Sequence, residues 1–162
     1  MELNFEIKKT KDCTSSEINS FYELVKRAGQ VDLIGLFDRI KNTELLAFCY
    51  HKRHLVGISS IKIPNRNYKK RIFSEAGIQN KEQEYKFELG YSFTEENFRG
   101  KQIGFHLSNK LIKELSDITI FATTANPGMK KILKKIGFIE IGNTYKGKYN
   151  LDEIQLFGYR KE

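Results

Sequence analysis

Arg99-Gly100-Lys101-Gln102-Ile103-Gly104 follows an apolar, strand-like run and opens a helical pattern in which Ile103, Leu107, Leu111 and Leu115 recur at helical spacing. A strand that stops just before a helix start leaves backbone N–H groups unpaired and pointing outward. The helix dipole favours an anion at the same place, so the stretch reads as a phosphate cradle. Gly100 and Gly104 let a bulky diphosphate come close to the main chain. A P-loop is excluded, because Gly100-Lys101 is followed by Gln102 and no Ser or Thr hydroxyl is in place to hold magnesium. The Rossmann fingerprint fails as well.

Working outward, Phe87, Leu89, Tyr91 and Phe93 alternate with Glu88, Gly90, Ser92 and Thr94, which predicts a strand with two distinct faces. Beyond the helix of residues 103–116, Ile118 to Thr123 reads as a short buried strand. Asn126 then opens a helix with an apolar face of Met129, Ile132, Leu133 and Ile136, ended by Gly137-Phe138. Residues 138–142 and 154–159 read as two closing strands around a polar excursion holding Tyr145, Lys146, Lys148 and Tyr149. Upstream, residues 3–8 form a first strand, and Thr14 with Glu17 makes a capping box for a helix carrying Ile18, Phe21, Tyr22 and Val25 up to Gly29. Leu33, Leu36, Phe37 and Ile40 predict a second short helix. Residues 43–50 and 55–63 form a hairpin around His51-Lys52-Arg53-His54. Residues 64–81 are polar, show no sustained period, and are expected to form an irregular segment.

The order β-α-α-β-β-β-α-β-α-β-β predicts an α/β fold with a mixed, largely antiparallel sheet flanked by helices. Residues 99–104, with Asn126 and Gly137-Phe138 downstream, resemble the coenzyme-A loop and following helix of the GCN5-related N-acetyltransferase family, and the element order resembles that family's acyl-CoA N-acyltransferase fold. Likeness at the level of motifs covers residues 84–142. The resemblance implies that Arg99, Gly100, Lys101, Gln102, Ile103 and Gly104 hold the diphosphate of acetyl-CoA. It also implies that the strand edge at Phe93 and Thr94 pairs with the pantetheine arm, and that Asn126 contacts that arm. Glu88 resembles in position the glutamate that takes the proton of the acceptor amine through water, and Lys134 and Lys135 flank the coenzyme. Two residues depart from the family pattern: Gln102 stands where its middle glycine is usual, and Leu133 stands in the place of a common tyrosine acid. Tyr145, Tyr149 and Tyr159 are the candidate replacements for that acid.

Composition bounds this reading. The 162 residues, 40% hydrophobic and 12% aromatic, suit one domain over residues 1–162. No run approaches a membrane span, the first residues lack a signal-peptide pattern, and two cysteines make no disulfide framework, so a cytoplasmic location is the default expectation. Cys49, His51 and His54 straddle a turn and lack a fourth ligand, so no metal is expected. Lys and Arg number 28 against 20 acidic residues, a net charge of +8, with basic clusters at Lys62, Arg66, Lys69, Lys70, Arg71 and at Lys130, Lys131, Lys134, Lys135. The first reads as a solvated face. An RNA or polyanion module is one alternative, disfavoured because no interleaved aromatic and basic motif is present. A coenzyme-binding protein without turnover is the other. The expected partners are acetyl-CoA and a small-molecule or peptide amine, and a homodimer is allowed.

Overall fold

Thr14 starts the first helix by the reciprocal bonding that its sequence calls for. Its hydroxyl accepts from the Glu17 amide at 3.1 Å, while Glu17 accepts from the Thr14 amide at 2.8 Å. In the computed structural model, which describes residues 1–148 and 152–160, the chain divides into two compact units. The first comprises Met1–Lys62 and Leu89–Glu114, the second Ile63–Glu88 and Leu115–Glu162.

In the first unit, strands β1 (Leu3–Lys9), β2 (Leu45–His51) and β3 (His54–Lys62) form an antiparallel meander, with Leu3 opposite His51 and Leu45 opposite Ile61. Residues Leu45 to Cys49 are all buried, so β2 is covered on both faces. On one face, Leu46, Phe48 and Ile58 meet Ile18, Phe21, Leu24 and Val25 of helix α1 (Ser15–Ala28), with Leu36 and Ile40 of helix α2 (Leu36–Lys41). Ile103, Leu107 and Leu111 of helix α4 (Ile103–Glu114) are buried as well. Its first turn lies over Gly57 of β3, where an added Cβ would stand 2.6 Å from Ile103 Cγ2 and 3.3 Å from Leu107 Cδ1. Only glycine permits that approach.

In the second unit, helix α3 (Arg66–Glu75) packs Ile72 and Phe73, with Ala76 beyond it, against Phe121 of β5 (Thr119–Thr124) and Leu156 of β7 (Glu153–Arg160). Phe73 meets Phe121 edge-on with ring centroids 5.3 Å apart. Strand β5 pairs antiparallel with β7, and β7 with β6 (Ile139–Lys146). Helix α5 (Pro127–Ile136) joins β5 to β6. Strand β4 (Phe87–Thr94) pairs in parallel with β5 through Phe87 and Glu88. Among the described residues the sheet has seven strands in the order β1-β2-β3-β4-β5-β7-β6. It is mixed and mostly antiparallel, flanked by helices, as the element order requires.

Four expectations need correction. Residues 64–81 are not irregular: Asn65 caps α3 by accepting from the Asn67 and Tyr68 amides at 2.9 and 3.3 Å, and a 3-10 run follows at Gln79–Glu84. High polarity masked a stripe of Tyr68, Ile72, Phe73 and Ala76 at helical spacing. The alternation in β4 also breaks, because Tyr91 adopts φ 54° and Glu88 is buried together with both of its strand neighbours. Tyr145 and Lys146 belong to β6, which continues past a register shift between Ile141 and Tyr145 rather than ending at residue 142. In α2 only Leu36 and Ile40 are buried, leaving Leu33 and Phe37 of the expected stripe exposed.

The Gly57 contact yields a test. Gly57→Ala places a methyl group inside the Ile103 side chain, so the unfolding free energy should fall by about 1–3 kcal/mol in denaturant titration, the usual cost of overpacking.

Candidate active site

The loop before α4 is braced on the strand side. The Glu95 amide donates to the Val56 carbonyl at 2.8 Å, Arg27 forms an ion pair with Glu95, and a 3-10 turn occupies Glu96–Phe98. Arg99 turns back: its Nε donates to the Thr94 carbonyl at 3.1 Å, and its guanidinium lies 5.7 Å from the centre of the Phe93 ring. Arg99 therefore secures the end of β4, and the Thr94 carbonyl is engaged by it. Phe93 is half-buried against the aromatic core of the first unit.

Gly100 and Gln102 have φ of 81° and 62°. A Cβ at Gly100 would meet no atom within 4 Å, so the main chain is open to an approaching group there. Gln102 retains the left-handed conformation that a glycine would supply, at a cost of about 1 kcal/mol for a residue with a side chain. Its carbonyl accepts from the His106 amide at 3.0 Å, the first bond of the α4 ladder. The amides of the first turn lie at the positive end of the helix dipole. Lys101 and Gln102 are exposed, Ile103 is buried as the anchor of the turn, and Gly104 is partly exposed beside it. The loop thus presents polar main chain and two long polar side chains to solvent.

In the second unit, Asn126 performs the capping role: its Oδ1 accepts from the Met129 amide at 3.0 Å, and its own amide donates to Thr124 Oγ1 at 3.0 Å. Leu133 is fully buried, which makes it a core residue. Lys134 forms an ion pair with Glu140 at 3.2 Å. In the other basic cluster Lys62 lies 4.3 Å from the centre of the Tyr91 ring, Lys69 pairs with Glu82 at 3.8 Å, and Arg71 pairs with Glu75 at 3.4 Å. Three of its five cations are thus already engaged within the fold.

Glu88 is 3% exposed, and Tyr68 of α3 donates to its Oε2 at 2.8 Å. Burial first, then the adjacent Glu88 carboxylate, pushes the Tyr68 phenol well above its ordinary range. Burial followed by Glu88 and Glu75 raises the Tyr145 phenol too. Both hydroxyls therefore keep their protons through neutral pH. Tyr68 is the residue that sequence reasoning missed, and the stripe at 68, 72, 73 and 76 together with the Asn65 cap is the signal that marks it. Of the tyrosines proposed as acids, Tyr145 lies in this cluster, Tyr159 packs its ring on Phe138 at 5.2 Å, and Tyr149 falls outside the described residues. Burial pushes the thiols of Cys13 and Cys49 up to about 11, so neither is a nucleophile at neutral pH. Among the described residues no His, Cys, Asp and Glu side chains gather into a group that could hold a metal ion, and no helix is long and apolar enough to cross a membrane.

Comparison with known proteins separates sequence from fold. No family model matches the chain, and no curated protein sequence does. Solved structures do match. Escherichia coli ElaA superimposes with a TM-score of 0.70 at 12% identity, covering 99% of this chain and 100% of that one. Arabidopsis thaliana NAA60, solved with a bisubstrate analogue, gives 0.69 at 13% identity over 98% and 99% of the two chains. A GNAT family acetyltransferase from Streptococcus agalactiae gives 0.67 at 14% identity over 98% and 96%. The chain therefore has the GCN5-related N-acetyltransferase fold, which is also the acyl-CoA N-acyltransferase fold.

The conformation at Gln102 can be tested by substitution. Gln102→Val puts a β-branched residue at φ 62° and should lower stability by about 1–2 kcal/mol in denaturant titration, whereas Gln102→Gly should hold or raise it.

Proposed function

We propose that this chain is an N-acetyltransferase that moves the acetyl group of acetyl-CoA to a primary amine by direct transfer, with residues 1–162 working as one catalytic domain. The observation that carries the reading is the entry to α4, where left-handed backbone at Gly100 and Gln102 precedes a buried anchor at Ile103 in a chain with the acyltransferase fold. Such a turn suits a diphosphate, because main-chain amides and the helix dipole act on it together. Gly100, Lys101, Gln102, Ile103 and Gly104 would hold that group, and Phe93 and Thr94 would present the edge of β4 to the pantetheine arm. Arg99 acts by holding Thr94 in place. Asn126 contributes through its side-chain amide group, since its carbonyl oxygen is used in capping.

Bound acetyl-CoA supplies a thioester whose thiolate, with a pKa near 8.5, is a tolerable leaving group. Through water, Glu88 accepts the proton that the amine sheds as its nitrogen bonds to the acetyl carbon; the carbon–sulfur bond then breaks, and water returns a proton to the departing thiolate. No acid comes from Leu133, which lies in the core. That substitution is also the observation favouring a second reading, a protein that binds acyl-CoA without turning it over.

Acetyl-CoA should raise the melting temperature in proportion to occupancy, and Gly104→Val should abolish the shift while leaving the fold intact. A flat response at millimolar acetyl-CoA refutes coenzyme binding. A shift without thiol release across a panel of amines selects the second reading.

Glu88→Gln should lower kcat/KM by about a hundredfold or more, with coenzyme affinity unchanged. Raising the pH should restore part of the loss, because more of the amine then arrives neutral. Turnover at the parental level in this variant would remove Glu88 from the mechanism.

A further inference from the structure

Glu88 sits in a polar cluster built by three different elements of the second unit. Helix α3 contributes Tyr68, whose hydroxyl donates to Oε2 at 2.8 Å, together with Arg71 and Glu75, an ion pair at 3.4 Å. The Arg71 guanidinium lies 5.8 Å from the centre of the Tyr68 ring. Strand β5 contributes Thr123, which borders the Tyr68 phenol, and β6 contributes Tyr145, which feels both Glu88 and Glu75. The carboxylate is thus met by a buried phenol whose hydroxyl donates to it.

We propose that Tyr68 is a positioning residue for Glu88, fixing the orientation of the carboxylate, so that helix α3 belongs to the catalytic apparatus; this rests on the N-acetyltransferase reading. A buried carboxylate that must take a proton from an amine has to hold one orientation, and a donor to one of its oxygens fixes that orientation. Tyr68 can supply that donor because its phenol stays protonated at neutral pH. Its ring is packed against the core of the second unit beside Ile72 and Phe73, so the hydroxyl has little freedom to leave.

The test is a double-mutant cycle between Tyr68→Phe and Glu88→Gln, with kcat and KM read separately. Tyr68→Phe keeps the packed ring and deletes only the hydroxyl. It should lower kcat about tenfold with the KM for acetyl-CoA unchanged, as expected for the loss of a hydrogen bond to a charged group. In the Glu88→Gln background the same substitution should change kcat/KM by no more than about twofold, because Tyr68 acts through Glu88. Glu88→Asp, which draws the carboxylate away from the Tyr68 hydroxyl, should likewise lower kcat with the KM for acetyl-CoA unchanged, and carries the test if Tyr68→Phe does not fold. Additive losses in the cycle, or a loss carried by KM, overturn the positioning role even if the melting temperature falls. A parent that releases no thiol with any amine overturns the acetyltransferase reading and this proposal with it. An active parent whose kcat Tyr68→Phe leaves unchanged overturns the proposal alone.

Discussion

The missing side chain at Gly57 is the constraint on which the first unit depends. Helix α4 begins at Ile103, and the Ile103 side chain occupies the space that any Cβ on residue 57 would need. Close approach of this kind gives dense packing, and dense packing resists small shifts. The start of the helix is therefore fixed in height over β3, and the loop before it inherits a fixed end point. The other end of the loop is fixed as well, because Glu95 bonds to Val56 and Arg99 bonds back to Thr94. A turn held at both ends keeps its shape without help from a ligand.

The second unit solves a different problem, that of keeping a carboxylate inside a core. Water no longer solvates Glu88, so hydroxyl donors must replace it, and Tyr68 is placed to do so. A hydrogen bond to a charged group offsets about 1.5–3 kcal/mol of that burial. Phenols suit the task because their rings add apolar area to the same core. Tyr68 and Tyr145 both join the cluster of Phe73, Phe121 and Leu156, and Tyr68 turns its hydroxyl toward the charge. Packing and electrostatics thus come from the same residues.

Much of this was legible in the sequence where a local rule acts alone. The Thr14–Glu17 box, the helix from Ile103 and the Asn126 cap each follow from residues within one turn of each other, and each stands where its pattern puts it. The failures share a different cause. In β4 the left-handed Tyr91 turns the strand, and Tyr91 carries none of the residue types that advertise positive φ. Helix α3 was hidden because charged residues fill its exposed face, so mean polarity outweighed a narrow apolar stripe. The role of Tyr68 needed the carboxylate of a strand twenty residues away in sequence. No pattern within α3 names that partner.

Gln102 shows that a backbone turn does not require the residue type that favours it. A φ of 62° turns the main chain whether or not the residue is glycine. Glycine reaches the conformation at no steric cost, and a long unbranched side chain reaches it at about 1 kcal/mol, a sum that one buried methylene elsewhere can offset. The substitution also places an exposed side-chain amide, a hydrogen-bond donor, beside the space that the open backbone at Gly100 leaves free. A motif defined by residue identity loses its middle position here, whereas the same motif defined by backbone angle does not. The superposition on ElaA at 12% identity is what this trade produces across a whole chain: conformations kept, residues exchanged.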